Sequence, residues 1–196
     1  MRRLIAIAIP SALVILAAGC GSGPAARFYT LSATPSDTAA PSDISVAVGP
    51  VTVPAAVDRP QIVVSMSTNQ VRLDEFNRWA SPLQSDIAGA VAENLVAMLG
   101  TPRVTVSSQT VGADADYRAA IEVQRFESAP GEAAKLEAVW TVSRAKDGES
   151  RTGRTTARET TPDQGFDSLV AAHSRAVGRL SRDIADAVRA LARSGQ

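Results

Sequence analysis

Two short strings constrain this fold more than any other feature: Ser81-Pro82-Leu83-Gln84 and Thr161-Pro162-Asp163-Gln164. Each offers a hydroxyl for the N-cap, a proline for the first helical position and a glutamine placed to close a capping box. Behind the first, Leu83, Ile87, Val91, Leu95 and Leu99 recur every four residues on one helical face. Gly100 then ends the helix and Pro102 blocks its continuation. Behind the second, Phe166, Leu169, Val170, His173, Val177, Leu180, Ile184, Val188 and Leu191 form a longer apolar stripe. Arg175, Arg179, Arg182, Asp183 and Arg189 take its other face, and the helix is expected to end near Arg193.

Period-two alternation fills the rest. Short strands are expected at residues 28–31, 62–66, 71–73 and 104–106, with one at 44–53 kinked near Pro50. Tyr117, Ala119, Ile121 and Val123 alternate with polar neighbours, as do Leu136, Ala138, Trp140 and Val142. Asp147-Gly148 signals a hairpin turn, and its partner at 150–160 is a polar edge strand rich in Thr and Arg. Strands, helix, strands, helix is the order of an α+β domain. The expected architecture is a mainly antiparallel sheet with both long amphipathic helices packed on one face.

Cys20, the only cysteine, closes the apolar run that ends Leu16-Ala17-Ala18-Gly19. Arg2 and Arg3 precede that run, and Pro10 and Ser11 interrupt it, which is the layout of a signal peptide. Lipidation of Cys20 is the reading of this site, although the usual leucine stands one residue further back, at Leu16. The alternative is a plain secretory cut near Ala17-Ala18-Gly19 that leaves a free thiol. No later segment reaches the roughly 18 apolar residues a span needs. The organisation is then a signal peptide at 1–19, a lipidated cysteine with a short strand and Ser/Pro/Ala-rich tether at 20–43, and a periplasmic domain at 44–196. Gly21, rather than aspartate, after the cysteine favours the outer membrane by analogy with bacterial sorting.

Acidic and basic residues balance at 20 each, and removal of Arg2 and Arg3 tips the remainder slightly acidic. That leaves no basic footprint for nucleic acid and no polybasic patch in the sequence for anionic lipid. One His and one Cys do not make a zinc site. Asp114 and Asp116 fall far short of a calcium ligand set, and Gly148 and Gly153 make no phosphate loop. His173 is the one candidate for acid–base chemistry, but Ser174 points away from it and Asp167 is not on its face. It reads as a hydrogen-bonded packing residue, and the chain as a non-enzyme without cofactor or metal.

Several strings together resemble one family. They are the lipobox at Cys20, Phe28-Tyr29-Thr30-Leu31, the stretch 46–54, Asp58-Arg59-Pro60-Gln61-Ile62-Val63, Arg78-Trp79-Ala80-Ser81-Pro82-Leu83, and Ala171-Ala172-His173-Ser174-Arg175 through to Ile184-Ala185. In this order they resemble the ABC-type transport auxiliary lipoproteins, the PqiC-like family. Ala56-Val57 departs from it, because the family more often has a larger residue before Asp58. The resemblance implies an outer-membrane lipoprotein facing the periplasm. Its partners would be a mammalian-cell-entry (MCE) domain protein that forms a lipid conduit, and that protein's inner-membrane ABC transporter. A homo-oligomer is compatible with this. The alternative class is a structural lipoprotein of an envelope or secretion assembly.

Asp58, Arg59 and Pro60 are candidate partner-binding residues, or a plain turn with a local ion pair. Trp79 is a fourth candidate, or a hydrophobic staple packed on the first turn of the helix after it. Trp140 is expected in the sheet core. The arginine face of the last helix reads equally as a partner surface or a solvated one.

Overall fold

The computed structural model describes residues 25–35, 38–107 and 114–194. The signal peptide and Cys20 lie outside the described residues. In chain order the elements are β1 (Arg27–Tyr29), β2 (Val46–Thr52), β3 (Gln61–Ser67), β4 (Gln70–Trp79), α1 (Leu83–Leu99), β5 (Val104–Val106), β6 (Tyr117–Ala129), β7 (Ala133–Arg144), β8 (Ser150–Thr160) and α2 (Phe166–Ser194).

Among the described residues the strands form one eight-stranded sheet. It is mixed, which corrects the expectation of a mainly antiparallel one. The hairpins β3–β4, β6–β7 and β7–β8 are antiparallel. The pairs β1–β4, β2–β5, β2–β6 and β3–β6 are parallel. β6 is the hub. β7 takes one of its edges along its whole length, so β2 and β3 share the other, at Val46↔Tyr117 and Val64↔Ser128. Parallel neighbours need long crossovers, which is why these pairings join segments remote in sequence.

The helices divide the strands between them. α1 contacts β2 and β5, α2 contacts β6, β7 and β8, and the two helices touch each other. Ile87 and Leu95 of α1, Leu180 and Ile184 of α2, and Ile62 and Leu136 of the sheet are fully enclosed. Burial of each such side chain stabilises the fold by about 1.5–3 kcal/mol. The exposed stripe of α2 carries Arg175, Arg179 and Arg182, as its periodicity predicts.

The capping boxes do not form. Pro82 stands at the α1 N-cap without a side-chain cap, and the Ser81 hydroxyl turns instead to the Asp86 carboxylate. α2 starts at Phe166, later than its proline promised, and the Thr161 hydroxyl is buried without a partner. Asp163 organises that entry, accepting from the Gly165 amide at 2.6 Å and the Ser168 hydroxyl at 2.8 Å. A carboxylate two or three residues ahead of the helix competes with the hydroxyl for the same free amides.

The segment read as a tether is in large part bound to the helices. The Thr34 amide donates to Asn94 Oδ1 at 2.8 Å, and the Ser32 amide to Ser174 Oγ at 3.1 Å. Further on, the Ala39 amide reaches the Ala97 carbonyl at 3.0 Å and the Ser42 amide the Gly100 carbonyl at 2.9 Å. The Ser42 hydroxyl takes the Leu99 carbonyl at 2.7 Å. The last carbonyls of a helix lack partners within it, and this strap supplies them. Gly100, left-handed at φ 64°, makes room, since a Cβ there would sit 2.1 Å from the Ala40 carbonyl oxygen.

Candidate functional site

The loop between β2 and β3 is built from its own backbone. The Val57 and Asp58 amides both donate to the Pro54 carbonyl, at 3.0 and 3.2 Å, and the Arg59 amide to the Val57 carbonyl at 2.9 Å. Val57 is buried and anchors the turn, while Asp58, Arg59 and Pro60 stand in solvent. Among the described residues the side chains of Asp58 and Arg59 form no ion pair with each other, so backbone bonds and the buried Val57 hold the turn.

Trp79 meets this loop through its main chain. Its amide donates to the Pro60 carbonyl at 2.7 Å, which brings the two sequence-predicted sites together. Their side chains then diverge. The Trp79 side chain lies in the core at 4% exposure, whereas Asp58, Arg59 and Pro60 form the outer surface. The indole belongs to the same buried core as Leu83 in the first turn of α1. It meets Phe126 edge-on at 6.0 Å and His173 edge-on at 6.2 Å.

His173 is enclosed completely and shares a 2.8 Å hydrogen bond between its Nε2 and the Ser128 hydroxyl. Its Nδ1 has no partner. Desolvation pushes its pKa from 6.5 down to about 3, so the ring is neutral in ordinary buffers. A neutral imidazole walled in by Trp79 and Phe126 has no route to a solvent-borne substrate. It binds β6 to α2.

The apolar residues that sequence reasoning missed lie on the outside. Val71, Leu73 and Phe76 of β4 and Met66 of β3 are exposed, as are Phe28 of β1 and Val106 of β5. Phe76 is thrown outward by a bulge: Ile62 pairs with Asp74 but its neighbour Gln61 pairs with Arg78, so residues 75–77 have no counterparts on β3. Asp74 holds that bulge. Its Oδ1 accepts from the Phe76 amide at 3.1 Å, the Asn77 amide at 2.8 Å and Asn77 Nδ2 at 2.9 Å. Burial alone raises the Asp74 pKa, but these bonds and the Arg72 charge outweigh it and hold the carboxyl below its usual range. β4 runs from Gln70 to Trp79, well beyond the three residues 71–73 assigned to it.

Asp116, considered above for calcium, works as a strand clasp. Its Oδ2 accepts from the Ser45 amide at 2.9 Å and the Ser45 hydroxyl at 2.6 Å, and the hydroxyl bond leads in keeping its pKa low. Among the described residues no three His, Cys, Asp or Glu side chains converge to hold a metal ion. Nor is any described helix long and apolar enough to cross a membrane. What the described surface offers is a polar loop at Asp58–Pro60, exposed apolar side chains on β1 and β3–β5, and the arginine stripe of α2.

The model of the family described as ABC-type transport auxiliary lipoprotein component matches residues 29–185. No curated protein matches the chain at a significant level. Two solved structures share its fold. An uncharacterised protein superimposes with a TM-score of 0.69 at 21% identity, covering 84% of this chain and 99% of its own. A Xanthomonas campestris protein of the DUF330 family superimposes with a TM-score of 0.65 at 16% identity, covering 87% and 100%.

Proposed function

The chain belongs to the ABC-type transport auxiliary lipoproteins, and from that premise we propose that it is a non-enzymatic adaptor anchored at the outer membrane through Cys20. Its role is to dock the periplasmic conduit of an MCE-type lipid transport system, whose inner-membrane component is an ABC transporter. The observation that carries this reading is the family match, which begins soon after Cys20 and runs into α2, to residue 185. The anchor and the folded domain therefore stand in the order a tethered adaptor requires. Each buried methylene contributes about 0.8 kcal/mol, so the several acyl chains of a bacterial lipoprotein hold it permanently.

The exposed loop at Asp58, Arg59 and Pro60 is the docking element in this reading. Its backbone is held by Val57 and by the Trp79 amide, so the exposed side chains stand on a rigid base. The direct test is photo-crosslinking in native membranes from a photoreactive residue at Arg59 of the full-length protein. The adaptor reading expects an MCE-domain protein among the adducts. Adducts that contain only other envelope or secretion components would favour the structural-lipoprotein alternative.

A further inference from the structure

We propose that the end of the domain bearing Phe28 rests on the bilayer that holds the acyl chains, with Phe28 in the interface and the Arg175–Arg179 side of α2 toward lipid phosphates. This rests on the lipidation of Cys20 in the reading above.

Covalent reach comes first. Residues 21–26 separate Cys20 from β1, and an extended chain gains at most about 3.6 Å per residue. Arg27 is thus confined to within about 25 Å of the acylated sulfur, roughly the radius of a domain this size. β1 cannot swing out to lengthen the leash. It is paired in register with β4, Arg27↔Asn77, Phe28↔Arg78 and Tyr29↔Trp79, and Ser32 and Thr34 bind the helices behind it. A leash this short excludes the orientations that hold Phe28 on the pole away from the bilayer.

The chemistry of that end suits a lipid surface. Phe28 is 64% exposed. Beside it runs a groove of about 510 Å³ bordered by Thr30, Ser32, Ala171 and Arg175. A second, of about 320 Å³, is bordered by Thr34, Gly178, Arg179 and Arg182. Thr34 and Arg175 border both, so the grooves run on along α2. Glu159 pairs with Arg175 and Arg179, and Asp167 borders the first groove. Arg175 and Arg179 share the one Glu159 carboxylate, and a guanidinium carries five N–H donors, more than these bonds use. An exposed aromatic flanked by arginines is the pattern that settles at an anionic lipid interface. The fold assembles this pattern from β1 and α2, which are far apart in sequence.

The test uses the full lipidated protein in vesicles of phosphatidylethanolamine and phosphatidylglycerol. With the Cys20 thiol consumed by its lipid, one new cysteine can be labelled alone. Thr30→Cys carries a fluorophore beside Phe28, and Met66→Cys carries it on the β3–β4 hairpin at the other end of β4. The proposal expects doxyl-lipid to quench the label at residue 30 about twofold or more above the label at 66, and aqueous iodide to do the reverse. Phe28→Asp in the Thr30→Cys protein should remove that difference, and replacement of phosphatidylglycerol by phosphatidylcholine should weaken it. A vesicle-bound protein whose residue-30 label is open to iodide and untouched by doxyl-lipid overturns the proposal. So does one shielded from both quenchers, which would place protein there, and an unchanged signal in phosphatidylcholine overturns the arginine contribution. A protein that does not float with the vesicles overturns the anchor itself, and the proposal with it.

Discussion

The imidazole of His173 lies flat on the ring of Phe126, with centroids 4.0 Å apart and planes within 7° of parallel. This stack fastens α2 to the hub strand β6, and Trp79 closes it from β4.

The buried ring makes stability depend on pH in a set direction. The folded protein resists protonation of His173 down to about pH 3, while the unfolded chain accepts the proton near pH 6.5. Below pH 6.5 the unfolded state binds more protons, so stability falls as pH falls toward 3, by at most about 1.4 kcal/mol per pH unit. Above pH 6.5 this contribution is complete and flat. Urea midpoints between pH 6.5 and 5 isolate the effect, because few carboxylates titrate there. His173→Phe is expected to keep the stack, lose the Ser128 bond and flatten that slope. A slope unchanged in the variant would refute the assignment.

Gly153 exists for Trp140. A Cβ at this position would lie 2.3 Å from the indole ring, which crosses β8 to donate from Nε1 to the Thr155 hydroxyl at 3.1 Å. Thr155 donates in turn to Asp183 on α2, so the indole links the sheet to the helix. Gly153→Ala is expected to cost about 1–3 kcal/mol and to redden Trp140 emission as the ring is displaced. Emission and unfolding midpoint both at wild-type values would contradict this.

The strap over α1 depends on Gly100 in the same way. Gly100→Ala combines a strained left-handed backbone with a collision against the Ala40 carbonyl. The expected loss is about 1–3 kcal/mol, and cleavage by added protease should begin within residues 38–43 rather than in the sheet. Unaltered proteolysis would show that the strap does not need this close approach.

Much of the fold was legible because it is local. β8 was readable from the Asp147-Gly148 turn that fixes its register on β7, and α1 from a four-residue stripe closed by Gly100. The mixed sheet was not. Its parallel pairs join β1 to β4 and β2 to β5 and β6, and no local pattern encodes which remote strands meet. Small polar residues at 32–43 carry no periodicity, so their use as a helix strap is written only in the glycines they cross. Trp79 illustrates the limit at the candidate site. Its place in the chain beside the loop was readable, but its inward direction follows from Phe126 and His173, which only the folded topology brings near.

The account stands on tethering, and intact-mass spectrometry of the mature N-terminus, with membrane fractionation, tests it most directly. The predicted result is a chain that begins at Cys20, carries acyl groups and sediments with the outer membrane. An unmodified, soluble N-terminus would contradict it.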